Sequence, residues 1–383
     1  MTSTDHPADY PGAILTYGME YRLPDISVRL PLEVAPGYQE MRPRVHAWAR
    51  RYLLEYFGEN EQDSRCTDSF LRQGMCYWTA ACWPDVIPER QFAMMVWGFW
   101  GTLSPDDMLS HPATLDDPAI LLAVRDAMVD AAEGRPRRHA AVELPADVER
   151  ALSAATRMCR DGQALIARTC PKPLFSRITR TLQDAMISNA DPDRHTGGDQ
   201  FPTFEAFQRE RRVDVFGPWM MAMCEWTMGV DLDGLASTDP DLAQICSWTT
   251  DHFTLVNDIY SFPKELAAGE QMNTVWFLMH HEGLSLQQSL DWLADRAALT
   301  EQRFTTACDE ILAGPLGHRE DVRRFVRALG QMIAGNVAFH LRTSRYFDTP
   351  QPPATPHTSP EPTVLYRRGT VHQPLPPQPT QHE

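Results

Sequence analysis

Three oxygen-bearing side chains, Asn257, Ser261 and Glu265, recur at intervals of four in the stretch "NDIYSFPKE". On an α-helix that spacing turns all three roughly the same way. One amide oxygen, one hydroxyl and one carboxylate make a weak all-protein calcium cage. They suit Mg²⁺, which keeps several waters and takes further ligands from substrate phosphates. Pro263 lies between Ser261 and Glu265, and a proline inside a helix removes a backbone hydrogen bond. The stretch therefore predicts a helix kinked between Ser261 and Glu265 whose three oxygens still converge on one ion.

The chain around this motif is acidic. Its 383 residues carry 35 basic and 51 acidic side chains, a formal charge of −16. That balance argues against a nucleic-acid partner, which calls for a basic patch or stripe, and it suits a protein that gathers cations around an anionic substrate. The eight cysteines include no C-x-x-C pair and no zinc spacing, so they read as reduced thiols of a cytoplasmic protein. The N-terminus shows no basic segment followed by an apolar one. The longest apolar run, Phe92 to Leu103, is too short to span a bilayer. No membrane partner is expected.

The elements that must position the motif read as helices. "EMRPRVHAWARRYLLEYFGE" has helical periodicity and stops near Gly58; "DPAILLAVRDAMVDAAEG" opens on Asp-Pro and closes on Gly134. The stretches 161–190, 204–229 and 285–314 continue the pattern, and alternating strand runs and repeats are absent. The expected fold is all-α, one helical domain over residues 31–347. An irregular N-terminal segment, 1–30, precedes it, and a tail, 348–383, holds ten of the 31 prolines and is expected to be disordered.

"NDIYSFPKE" resembles the second metal motif of class I terpene synthases of the bacterial and fungal single-domain type, (N/D)D-x-x-(S/T)-x-x-(K/R)E. The resemblance extends over roughly residues 70–347. Arg211 stands 46 residues before Asn257, where this family has a diphosphate-sensing arginine. Asp214 then matches its linker aspartate, and Val215 the residue whose carbonyl acts at a helix break, with Gly217 and Pro218 supplying the break. "GNVAFHLRTSRY" matches the terminal Arg-Tyr pair in Arg345 and Tyr346, some 80 residues after the motif. The Asp-rich motif is matched by Asp106 and Asp107. Here the sequence departs from the family, since Ser110 or His111 stands where a third carboxylate belongs, and Asp116–Asp117 lies too far along to replace it.

The resemblance implies a helical bundle around a cavity and three Mg²⁺ ions, with Asn257, Ser261, Glu265, Asp106 and Asp107 as metal ligands. Arg211, Lys264, Arg345 and Tyr346 are implied to contact the diphosphate. A carbocation then needs a dry aromatic cavity, for which Phe92, Trp97, Trp100, Trp219, Trp226 and Phe339 are the candidates. The implied activity is Mg²⁺-dependent cyclisation of a linear isoprenyl diphosphate, above all the C15 farnesyl compound, by a monomer or homodimer. A C20 substrate, an acyclic alcohol product, or a silent binding protein with an incomplete Asp-rich motif are the competing expectations.

Overall fold

The computed structural model describes residues 20–346, apart from 59–60, 104–107, 110, 138–141, 192–199 and 269, together with 363–364. Fifteen α-helices occupy the described residues. The first eight are α1 (Tyr38–Phe57), α2 (Glu61–Arg72), α3 (Met75–Cys82), α4 (Pro88–Thr102), α5 (Pro112–Asp116), α6 (Pro118–Ala132), α7 (Ala146–Ala167) and α8 (Lys172–Asn189). They are followed by α9 (Phe204–Asp214), α10 (Gly217–Met228), α11 (Leu235–Thr238), α12 (Pro240–Ala268), α13 (Thr274–His281), α14 (Leu286–Ala313) and α15 (Glu320–His340). Extended structure among the described residues is one antiparallel pair, β1 (Glu20–Tyr21) with β2 (Thr363–Val364). The fold is all-α. Two residues of the stretch read as a disordered tail are thus paired with the N-terminal segment.

Local chemistry sets the boundaries. Asp117 caps α6 by accepting from the Ala119 amide at 2.8 Å, with Pro118 in the first turn. Ser285 and Gln288 form a reciprocal capping box at the start of α14. The pattern over 161–190 resolves into two helices parted at Pro171, and that over 204–229 into two parted at Val215–Phe216. Helix α12 runs through Pro263 to Ala268. Among the described residues no helix is long and apolar enough to cross a membrane.

The N-terminal segment is tied down by side chains that stand in for a strand. Gln287 accepts from the Arg22 amide and donates to its carbonyl, at 2.9 and 3.1 Å. Buried Glu301 accepts from the amides of Arg29 and Leu30. Helix α12 packs between α14 and α15, and α15 lies against α3. That last crossing needs Gly335, because a Cβ there would stand 2.4 Å from the Ala81 backbone.

Candidate active site

Arg211 sits in the last turn of α9 and is buried. Its guanidinium donates to Asp214, to Asp258 Oδ1 at 2.5 Å, and weakly to Asn257 Oδ1 at 3.3 Å. Burial alone would favour loss of its charge. Asp258, Asp214 and Glu265 outweigh that and hold it protonated, well above the ordinary arginine value. Asp258 is the second residue of the motif, a quarter-turn from Asn257. Its other oxygen accepts from the backbone and hydroxyl of Thr274, at 2.7 and 2.6 Å. One carboxylate therefore joins α9, α12 and α13.

The chain breaks where Val215 caps α9. Phe216 adopts φ 65°, a left-handed conformation that is costly for a bulky residue. Gly217 then opens α10 so close to α12 that a Cβ would lie 2.4 Å from Thr250 Cγ2. Asn189 at the end of α8 donates to the Asp214 carbonyl at 2.7 Å and pins the break from the other side. Asp214, Val215 and Phe216 all wall one cavity.

Asn257, Glu265, Glu270, Arg211, Arg345 and Tyr346 form the polar end of that cavity. The Asn257 amide nitrogen lies 3.2 Å from both His340 Nε2 and the Tyr346 hydroxyl oxygen. His340 is held neutral by burial, which pushes its imidazole down to about 4, and it stacks on Tyr346 with rings 5.4 Å apart and nearly parallel. Arg345 donates to Gln73 Oε1 at 2.9 Å. Ser261 is buried beneath this rim rather than on the cavity wall. Asn273 links it to the rim: its amide nitrogen lies 2.9 Å from Glu265 Oε2 and 3.5 Å from Ser261 Oγ, and its oxygen caps α13. Lys264 is half-buried and does not wall the cavity, although its charge reaches Glu265.

This donor set fits a hard divalent cation. Burial and then the neighbouring Glu270 push the Glu265 carboxyl up to about 7, while Arg211 and Lys264 pull it back down. A buried carboxyl with a second carboxylate beside it is relieved by a cation, and amide, hydroxyl and carboxylate oxygens are the donors that magnesium takes.

Aromatic and aliphatic side chains make up most of the remaining wall. Trp97, Trp100, Trp219 and Phe339 line it, with Trp97 4.9 Å from Trp100 and 5.6 Å from Trp219 between ring centres. Trp78, Phe216 and Phe253 complete the aromatic wall, and sequence reasoning missed them because aromatic residues at helical spacing look like ordinary core. Phe92 and Trp226, read as wall candidates, stand elsewhere. Phe92 is partly exposed beneath Arg44, and Trp226 packs under Arg90 with its indole donating to Thr169. Asp106 and Asp107 lie outside the described residues. His111 caps α5 and reaches Asp147 at 3.4 Å, Asp116 is exposed, and Asp117 caps α6, so none of the three joins this site.

A family model described as terpene synthase family 2, C-terminal metal binding, matches residues 96–303, more than half of the chain. The chain belongs to the terpene synthase family. Divalent-metal binding goes with that membership. The chain is 29% identical over 241 residues to pristinol synthase of Streptomyces pristinaespiralis, a match covering 61% of this chain and 62% of that relative. It is 28% identical over 152 residues to sesquiterpene synthase Agr3 of Cyclocybe aegerita, covering 39% and 42%. Both matches span less than two thirds of the relative's length. Germacradien-4-ol synthase from Streptomyces citricolor has the same fold, with a TM-score of 0.64 at 14% identity, covering 83% of this chain and 98% of that one.

Proposed function

We propose that this synthase ionises farnesyl diphosphate and cyclises the resulting C15 cation to a sesquiterpene, releasing diphosphate, with Mg²⁺ as its metal and three ions in the working site. One observation carries the reading: a single cavity has an aromatic wall at one end and, at the other, oxygen donors beside buried and rim cations. That polarity matches a substrate with a polyprenyl chain and an anionic head.

Asn257, Ser261 and Glu265 would hold one of the ions, and Asp106 and Asp107 are proposed for the others. When bound, the ions supply Lewis acidity toward the leaving diphosphate as the C–O bond breaks. Arg211 is pre-oriented by two carboxylates, so its charge is in place before the leaving group develops its own. Arg345 and Tyr346 add donors to the same oxygens, and Lys264, off the cavity wall, adds its positive charge beside Glu265. The Val215 carbonyl, presented by the break that Phe216 and Asn189 maintain, is proposed to act at the ionising end of the chain. Trp97, Trp100, Trp219 and Phe339 exclude water and offer ring faces to the cation, each worth on the order of 2 kcal/mol when desolvated.

Incubation with farnesyl diphosphate and Mg²⁺, followed by gas chromatography–mass spectrometry, should give a cyclic hydrocarbon or alcohol with stoichiometric diphosphate. Absence of diphosphate release with C10, C15 and C20 substrates alike would overturn the assignment.

A further inference from the structure

We propose that His340 is a positioning residue: it fixes the side-chain amide of Asn257 so that the oxygen, and not the nitrogen, is presented to the metal. The proposal rests on Asn257 being a metal ligand, as proposed above.

The argument starts at the far side of the imidazole. His340 Nδ1 lies 2.8 Å from the carbonyl of Asn336, one turn back on α15. A carbonyl can only accept, so Nδ1 carries the hydrogen, and Nε2 of the neutral ring is left as an acceptor. The amide nitrogen of Asn257 lies 3.2 Å from that Nε2 and 3.2 Å from the Tyr346 hydroxyl. Both of its hydrogens are thereby engaged, which leaves the oxygen as the atom the amide can offer a cation. Its oxygen faces Arg211, whose nearest nitrogen is 3.3 Å away.

Turning the amide over would be penalised twice. The oxygen would meet the Nε2 lone pair, and the NH₂ group would meet a guanidinium, which has no acceptor. The imidazole cannot easily yield, because it is buried and stacked on Tyr346 at an interplanar angle of 8°. Asn336, whose carbonyl starts the chain of bonds, is itself fully buried and donates to the Phe253 carbonyl at 3.3 Å. The relay from Asn336 through His340 to Asn257 therefore runs through immobile groups. Such outer partners of a metal ligand are commonly worth about 10- to 100-fold in metal affinity.

The test measures Mn²⁺ affinity of the full chain by electron paramagnetic resonance, with inorganic diphosphate present. His340→Phe keeps the ring and its stacking but removes the acceptor, and should weaken Mn²⁺ binding about 10- to 100-fold. His340→Gln offers an amide oxygen in place of Nε2 and should recover part of the loss. In an Asn257→Asp background the ligand has two oxygens and no NH₂ to orient, so His340→Phe should there cost less than about threefold. Equal losses in both backgrounds would show a merely structural role and overturn the proposal, as would no loss in either. Undiminished Mn²⁺ binding by Asn257→Ala would instead remove Asn257 from the metal site, a distinguishable failure of the underlying reading. A measurement on the unaltered protein covers the case in which His340→Phe does not fold. Imidazole ¹⁵N shifts should report the Nδ1–H tautomer for His340, and the Nε2–H tautomer would overturn the proposal.

Discussion

Arg211 places a guanidinium nitrogen 2.5 Å from Asp258, in a pair that is almost wholly buried. Removing one partner of such a pair leaves the other charge desolvated and uncompensated, which costs about 3–5 kcal/mol. Asp258→Asn and Arg211→Met should each destabilise the fold by about that amount. The double substitution should cost clearly less than their sum, because the second change removes the charge that the first one orphaned. Urea unfolding of the four proteins checks this. Strict additivity would mean that Asp214 alone holds Arg211.

Asn257 and Glu265 wall the cavity, whereas Asp116 is exposed and Asp117 is engaged in capping α6. Glu265→Gln and Asn257→Ala should lower diphosphate release by about 100-fold or more, since they remove oxygens from the proposed metal site. Asp116→Asn should leave release unchanged. Asp106→Asn and Asp107→Asn should each raise the Mg²⁺ concentration needed for half-maximal release if that pair holds metal. A steady-state diphosphate assay over a Mg²⁺ titration separates these outcomes.

His252, on α12, is buried, and among the described residues its Nδ1 has no hydrogen-bond partner. Burial pushes its imidazole down from 6.5 to about 4. Between those values the unfolded chain takes up a proton that the folded chain refuses, so stability is full above about pH 6.5 and falls as pH drops toward 4. The loss attributable to this one group approaches about 3 kcal/mol at the lower end. His252→Leu should flatten the fall in melting temperature between pH 6.5 and 4. An unchanged slope would place the acid sensitivity elsewhere.

The all-α architecture and the helical setting of the metal motif were legible because both rest on periodicity and capping residues that act within a few positions. The break at Val215–Phe216 was foreshadowed by Gly217 and Pro218. What escaped was the set of residues that hold others in place. Asp258 reads as a motif position, yet its work is to bind Arg211 and Thr274. Asn273 caps α13, and its amide also reaches Glu265, a link no sequence signal announced. His340 is a lone histidine at the buried, mostly apolar C-terminal end of α15. Each acts across elements 8 to 83 residues apart, and periodicity carries no information about such pairings. Phe92 failed for the converse reason: its spacing suits the cavity face, but the rotation of α4 turns it toward Arg44.

Phe339 separates two spaces. On one side it lines the aromatic cavity, 6.3 Å from Trp78 between ring centres; on the other it borders an outer cleft with Tyr77, Arg342 and Thr343. Phe339→Ala would join the two. A cation formed in the cavity would then meet water that the ring now excludes, so the hydroxylated fraction of the products should rise by about twofold or more while diphosphate release stays within about tenfold. The substitution should also cost about 3–5 kcal/mol of stability, as expected when a buried aromatic is truncated. Phe339→Leu keeps most of the partition and should shift the products less. Chromatographic comparison of the alcohol-to-hydrocarbon ratio in the three proteins tests the partition directly. An unchanged ratio in Phe339→Ala, with release intact, would mean that water is kept out by some other wall.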